Sequence, residues 1–251
     1  MVVPLWTSGP ASLTLVRHAH SVANRADARA QEAGAEELDL EHRDADVELS
    51  DVGLAQAEAV GTWLAAQEGS VHPTVVVSSP YRRALQTAER VVARLGLEVR
   101  HDERLRERGL GVLDGLTELG IRTRFPEEAE RREKLGKFYY QPPSGESWCD
   151  VALRVRSFLD DLRFGYDDAR VCLLTHQAVV MTFRYVLEGL SEERLLELDR
   201  GQNLPNASVT TYRRRADRFE LVSFADTAAV DGAAEVTDEA SPGSVGDPEG
   251  A

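Results

Sequence analysis

The chain carries a short apolar run, Leu13-Thr14-Leu15-Val16, that passes without a break into Arg17-His18-Ala19-His20-Ser21. The run reads as a buried strand over Ser12–Val16. A strand that ends directly in Arg-His sets a fixed cation beside an imidazole at its carboxyl end. In open α/β sheets that end is where ligands bind. The fold of the remaining chain is therefore constrained by what it can bring to that edge.

Two further strands end in the same way. Thr74–Val77 is a β-branched run followed by Ser78-Ser79-Pro80, with Pro80 expected at the first helical position and Arg82-Arg83 in the first turn. That helix continues through Ala84, Ala88, Val91 and Leu95 and stops at Gly96. Val171–Leu174 runs into Thr175-His176 and a helix to about Leu187. Ser50 caps a helix with Leu54, Ala57, Val60 and Leu64 on one face, ending about Gln67. Ser147 with Asp150 forms a capping box ahead of Val151, Val155, Phe158, Leu159 and Leu162. Leu97–Arg100 is a short strand, Ser191 caps a short helix, and Val209–Tyr212 and Phe219–Phe224 form a terminal antiparallel pair. Strands alternating with helices predict an α/β fold of three layers, a mostly parallel sheet with helices on both faces. Parallel strands then place Arg17-His18, Ser79 to Arg83 and His176 at one sheet edge. Arginine forks, imidazoles and free helix N–H groups together make an anion site.

With 251 residues, 42% of them apolar, the chain supports a substantial core. No apolar run reaches the length of a membrane span, and Met1–Pro10 lacks the pattern of a secretory leader, so a cytoplasmic protein is expected. Two cysteines, Cys149 and Cys172, stand far apart; they read as small core residues of a reducing compartment. The formal net charge of −14 argues against nucleic acid as a partner. Seven of the acids fall in the last 26 residues, which carry no Lys or Arg. A catalytic domain over 1–225 and a disordered acidic tail over 226–251 are expected. Residues 25–47 read as a solvent-facing, partly helical insertion, and 117–143 as a helical insertion or lid.

The strand ends resemble the histidine phosphatase superfamily, the phosphoglycerate-mutase-like fold. Arg17-His18-Ala19-His20 with Asn24 resembles its opening block, and Ser78-Ser79-Pro80-Tyr81-Arg82-Arg83-Ala84-Leu85-Gln86-Thr87-Ala88 its second. Leu105-Arg106-Glu107 before Gly109-Leu110-Gly111, Thr175-His176-Gln177, Pro142–Ser147 and Pro205-Asn206-Ala207-Ser208 also fit, in order, over residues 12–224. The resemblance implies a nucleophile at His18 that forms a phosphohistidine. Arg17, Arg83 and His176 would surround the phosphoryl oxygens, Asn24 and Gln177 would add donors, and Glu107 would serve as general acid and base. It implies no cofactor and no metal, and a small phosphorylated metabolite as substrate. Taken by the residues alone, Glu107 among Glu103, Arg104, Arg106 and Arg108 also fits a surface ion pair.

Three positions depart from the family pattern: Ala19 for Gly, His20 for an acid or amide, and Gln177 for Gly. None removes a group with an implied catalytic role. Mutases of this fold carry a long basic insertion after the general acid. Here 117–143 mixes Arg122, Arg124, Arg131, Arg132, Lys134 and Lys137 with five glutamates, which favours a phosphatase over a phosphoglycerate mutase. Two other readings compete. A metallohydrolase would use His18 and His20, alternate residues of one strand, with His176. A non-catalytic phospho-ligand-binding protein would exploit the departures at 19, 20 and 177.

Overall fold

The computed structural model describes residues 5–69, 71–202 and 204–237. Its centre is a six-stranded sheet in the order β3-β2-β4-β1-β5-β6. The strands are β1 (Ser12–Arg17), β2 (Val75–Ser78), β3 (Val99–His101), β4 (Arg170–Thr175), β5 (Val209–Arg215) and β6 (Arg218–Asp226). Strands β3, β2, β4 and β1 are parallel, and β5 and β6 add an antiparallel edge. Strand β1 is central. It pairs with β4 in a register that sets Val16 opposite Leu174 and Arg17 opposite Thr175, and with β5 on its other side.

Strands buried on both faces are rich in apolar residues, and β1 and β4 are buried along nearly their whole length, with Thr14 the polar residue inside β1's apolar run. Leu13, Leu15, Val171 and Leu173 pack on one layer, α6 (Trp148–Asp161) and α7 (Gln177–Glu188). Val16, Val76, Cys172 and Leu174 pack on the opposite layer, α2 (Asp51–Ala65) and α3 (Arg82–Leu95). This is the three-layer α/β arrangement expected from the sequence. Ser50 caps α2, Ser147 and Asp150 close their capping box on α6, and Gly96 ends α3 in the left-handed conformation. Cys172 is buried in the core and Cys149 is partly buried against it; both are free thiols.

The two insertions take definite shapes. Residues 25–47 contain most of α1 (Val22–Ala33), a loop and a short 3-10 turn at Asp44–Asp46. Residues 117–143 hold α4 (Glu118–Arg124) and α5 (Pro126–Leu135). The final helix α8 spans Glu192–Gly201 behind its Ser191 cap.

Three expectations are corrected. Pro80 does not open α3, because the backbone N–H of Tyr81 donates to Ser79 Oγ (3.2 Å) and Tyr81 stays extended; the helix starts at Arg82. The short strand is β3 at Val99–His101, shifted from Leu97–Arg100. The tail does not leave the domain at Asp226. Ala229 and Val230 are buried in the same apolar cluster as Val16, Ala19 and Ala207, and Gln56 Nε2 donates to the Glu235 carbonyl (2.7 Å) and to Thr237 Oγ1 (2.9 Å). The rest of that expected tail, 238–251, lies outside the described residues. Among the described residues no helix is long and apolar enough to cross a membrane.

Candidate active site

The carboxyl ends of β1, β2 and β4 meet as their parallel pairing requires. His18 follows β1 and is 4% exposed; His176 follows β4 and is fully buried. Their rings lie 5.1 Å apart. Arg83, the second residue of α3, is 5% exposed and donates from Nε to His18 Nε2 at 3.3 Å. His18 Nδ1 lies 2.8 Å from the carbonyl oxygen of its own neighbour Ala19. A carbonyl only accepts, so the ring proton sits on Nδ1 and the Nε2 lone pair faces Arg83. Burial, reinforced by the charges of Arg83 and Arg17, lowers the His18 pKa well below the usual histidine range. His18 is thus a neutral imidazole with an unprotonated Nε2 directed into a cationic site.

Arg17 is 1% exposed, and its Nη1 donates to the carbonyl of Leu204. His176 is also held neutral, by burial and then by Arg83. Its Nε2 lies 2.8 Å from Ser79 Oγ, while its buried Nδ1 has no hydrogen-bond partner among the described residues. Tyr81 stacks edge-on against His176 at 5.3 Å, and the Arg83 guanidinium lies over the Tyr81 ring at 5.3 Å.

Glu107 follows the 3-10 turn Glu103–Leu105 and is half-buried. Burial raises its carboxyl above the usual carboxylate range. The Arg108 N–H on its Oε1 (2.7 Å) and the charge of Arg83 pull the other way without cancelling that effect. The side chain is therefore not the solvated surface ion pair that its charged neighbours in sequence also allow. Arg154 braces this turn, donating to the carbonyls of Arg104 (2.5 Å) and Glu107 (3.3 Å) and pairing with Glu146 (3.0 Å).

The other two sequence candidates sit differently. Asn24 is the third residue of α1, and its Oδ1 accepts from the backbone and side chain of Ser21 (both 2.9 Å) and from Asn206 Nδ2 (3.3 Å). The same Asn206 amide reaches the His18 carbonyl at 3.4 Å, so Asn24 is tied to the His18 backbone. With Oδ1 committed to the cap, only the Asn24 amide nitrogen can act as a donor. Gln177 begins α7 behind the cap residue His176; its side chain is half-exposed and makes no hydrogen bond among the described residues. His20 turns from the His18 ring to Ser50, with Nδ1 and Oγ 2.7 Å apart. Among the described residues no group of three or more His, Cys, Asp or Glu could hold a metal ion.

Three neighbours escape the sequence reading. Arg108, next to Glu107, has a buried Nε without a partner among the described residues, and burial and Arg132 lower its pKa. Its adjacency to Glu107 was the available signal. Ser79 lies within a recognised block but shows its contact to His176 only in three dimensions. Asp44, in a charged stretch without apolar period, pairs with Arg83 at 2.8 Å.

Comparison with known proteins agrees with this geometry. The family model of the histidine phosphatase superfamily (branch 1) matches residues 13–227. A bifunctional protein of Mycobacterium tuberculosis is 36% identical over 147 residues, 56% of this chain; the match spans only 38% of that relative's length. The 2,3-bisphosphoglycerate-dependent phosphoglycerate mutase of Methylorubrum extorquens is 29% identical over 68% of this chain and 80% of its own. Glucosyl-3-phosphoglycerate phosphatase of M. tuberculosis is 40% identical over 47% of this chain and 50% of its own. A solved mycobacterial glucosyl-3-phosphoglycerate phosphatase superposes with a TM-score of 0.68 at 29% identity, covering 86% of this chain and 98% of that one. The chain belongs to the histidine phosphatase superfamily.

Proposed function

We propose that this protein is a metal-independent phosphomonoesterase that works through a phosphohistidine on His18. The observation that carries the reading is the buried, neutral His18, with Nδ1–H on the Ala19 carbonyl and Nε2 facing Arg83. In the first step His18 Nε2 attacks phosphorus, a P–N bond forms, and the ester P–O bond breaks. Glu107, whose raised pKa favours its protonated form, gives a proton to the leaving oxygen. In the second step water attacks phosphorus, Glu107 takes its proton, and the P–N bond breaks to release phosphate. Arg17 and Arg83 compensate the charge that develops on the phosphoryl oxygens, with His176, Asn24 and the first backbone N–H of α7, that of Gln177, as neutral donors.

The ion pairs of the 117–143 insertion favour hydrolysis over mutase chemistry. Arg122 and Arg132 pair with Glu118, Arg124 with Glu36 and Glu37, and Arg131 with Glu128. Holding the carboxylate of a phosphoglycerate would require releasing these cations from resident acids. The substrate is a small phosphorylated metabolite met in the cytoplasm. Phosphoglycerates and their glycosides head the panel, given the names of the relatives.

The test is His18→Ala assayed with p-nitrophenyl phosphate and the metabolite panel. Hydrolysis should vanish while circular dichroism stays native, and a labelled acid-labile phosphoenzyme should form only in the wild type. Retained turnover in the variant overturns the reading. Interconversion of 2- and 3-phosphoglycerate with a bisphosphate primer would replace it with a mutase, and loss of activity on chelation with a metallohydrolase.

A further inference from the structure

A guanidinium carries five N–H donors in a planar fork. In Arg83 four of the five are committed. Nε donates to His18 Nε2 (3.3 Å), Nη1 donates to both the carbonyl (2.6 Å) and Oδ1 (2.8 Å) of Asp44, and Nη2 donates to Asp44 Oδ2 (3.2 Å). Asp44 thus takes the whole end of the fork, Nη1 and Nη2 together. The remaining Nη2–H lies on the other edge, the side shared with Nε–H. That side faces His18.

We propose that Asp44 is a positioning residue for the phosphate clamp, one that fixes the guanidinium plane of Arg83 so that its Nε–Nη2 edge is presented to a phosphoryl group on His18. When substrate enters, Nε–H passes from His18 Nε2 to a phosphoryl oxygen and the spare Nη2–H takes a second, which gives a two-pronged contact without breaking the Asp44 pair. Freeing Nε2 of that hydrogen bond is also what attack on phosphorus requires. The arrangement accounts for the close docking of the Asp44–Asp46 turn, whose backbone as well as side chain reaches Arg83. The Asp44 side chain is 33% exposed, whereas that of Arg83 is 6% exposed, so the carboxylate can be changed at little cost to the core. The proposal takes its catalytic meaning from the phosphatase reading above.

Two measurements test it separately from that reading. In nitrogen-15 spectra of the guanidinium, the wild type should show slow rotation about the Nε–Cζ bond, with distinct Nη resonances for Arg83. Asp44→Ala should average them. Persistence of distinct resonances in Asp44→Ala overturns the proposal whether or not the protein hydrolyses anything. In steady-state kinetics, Asp44→Ala should lower kcat by about tenfold or more with little change in KM, as expected when a clamp is misoriented. Asp44→Asn, which keeps an acceptor, should restore kcat to within about threefold of the wild type. A kcat in Asp44→Ala close to that of the wild type, or no rescue by asparagine, also overturns it. A wild type without any phosphatase activity would instead remove the reading of the reaction and leave the spectroscopic result to decide the role of Asp44.

Discussion

Ser79 and His176 are joined across the β2–β4 boundary by a 2.8 Å contact between Oγ and Nε2. Ser79 Oγ accepts the Tyr81 N–H and still has its own proton to give; the donor role proposed for His176 requires that proton on His176 Nε2. The imidazole proton then belongs on Nδ1, the buried nitrogen without a partner among the described residues. That tautomer turns His176 into a neutral donor. Ser79→Ala should release it and lower kcat by about tenfold with KM less affected. Nitrogen-15 shifts of the His176 ring, moving from a single Nδ1–H tautomer to a mixture, would report the cause; unchanged shifts would refute the assignment.

The Glu107 carboxyl is raised by burial, so it stays protonated above the normal carboxylate range. In the proposed role of general acid it is active below its pKa. kcat for an alkyl phosphate should therefore fall as pH rises through that value. Glu107→Gln should lose this limb and reduce kcat by 10²- to 10⁴-fold, the usual worth of a positioned acid–base group. An aryl phosphate, which leaves without protonation, should show a smaller deficit in the first step. A pH profile of Glu107→Gln with the same basic limb would move the acid elsewhere.

His18 and His176 have folded pKa values well below the usual range, and in the unfolded chain they return to about 6.5. The unfolded state therefore binds more protons below that pH. Stability contributed by the neutral rings is complete above about pH 6.5 and is lost as pH falls toward the folded values. Each ring should add a slope of up to about 1.4 kcal/mol per pH unit. Urea titrations at stepped pH would show a shallower acid dependence in His176→Gln than in the wild type. Identical slopes would mean the rings are not buried neutral.

The segment after β6 behaves as part of the domain. Val230 is fully buried, and Thr237 bonds to Asn206, which in turn holds the His18 carbonyl. Val230→Ala should cost about 1–3 kcal/mol from lost burial and the space left behind. Truncation after Asp226 should cost more and also lower kcat, because Asn206 loses its brace. Equal melting temperatures for the truncated and full chains would show that the segment contributes nothing.

Much of this was legible in the chain. The strands β1, β2 and β4 are short apolar runs whose polar ends align in a parallel sheet, and the pattern around Arg17, His18, Arg83 and His176 is readable for that reason; Glu107 is singled out only by the family resemblance. What stayed hidden depends on long-range partners. Ala229 and Val230 look like any small residues in an acidic tail until the fold brings them into the apolar cluster that holds Val16 and Ala207. Asp44 sits among other charges with no periodicity to single it out, and only the fold of the 25–47 segment brings it to Arg83. Pro80 misled because the Ser79 hydroxyl competes for the Tyr81 N–H, a contact that local propensity does not register.

The strand order carries a consequence for synthesis. Strand β1, which leads into His18, is paired on one side by β4 and on the other by β5, both far along the chain. Until residues 170–175 emerge from the ribosome, β1 and β2 have no common neighbour, and β1 has two open edges. A nascent chain halted after α6 should thus expose β1 and capture no phosphate. The site closes only once β4 and β5 have emerged, and β1 waits for both of its sequence-distant partners.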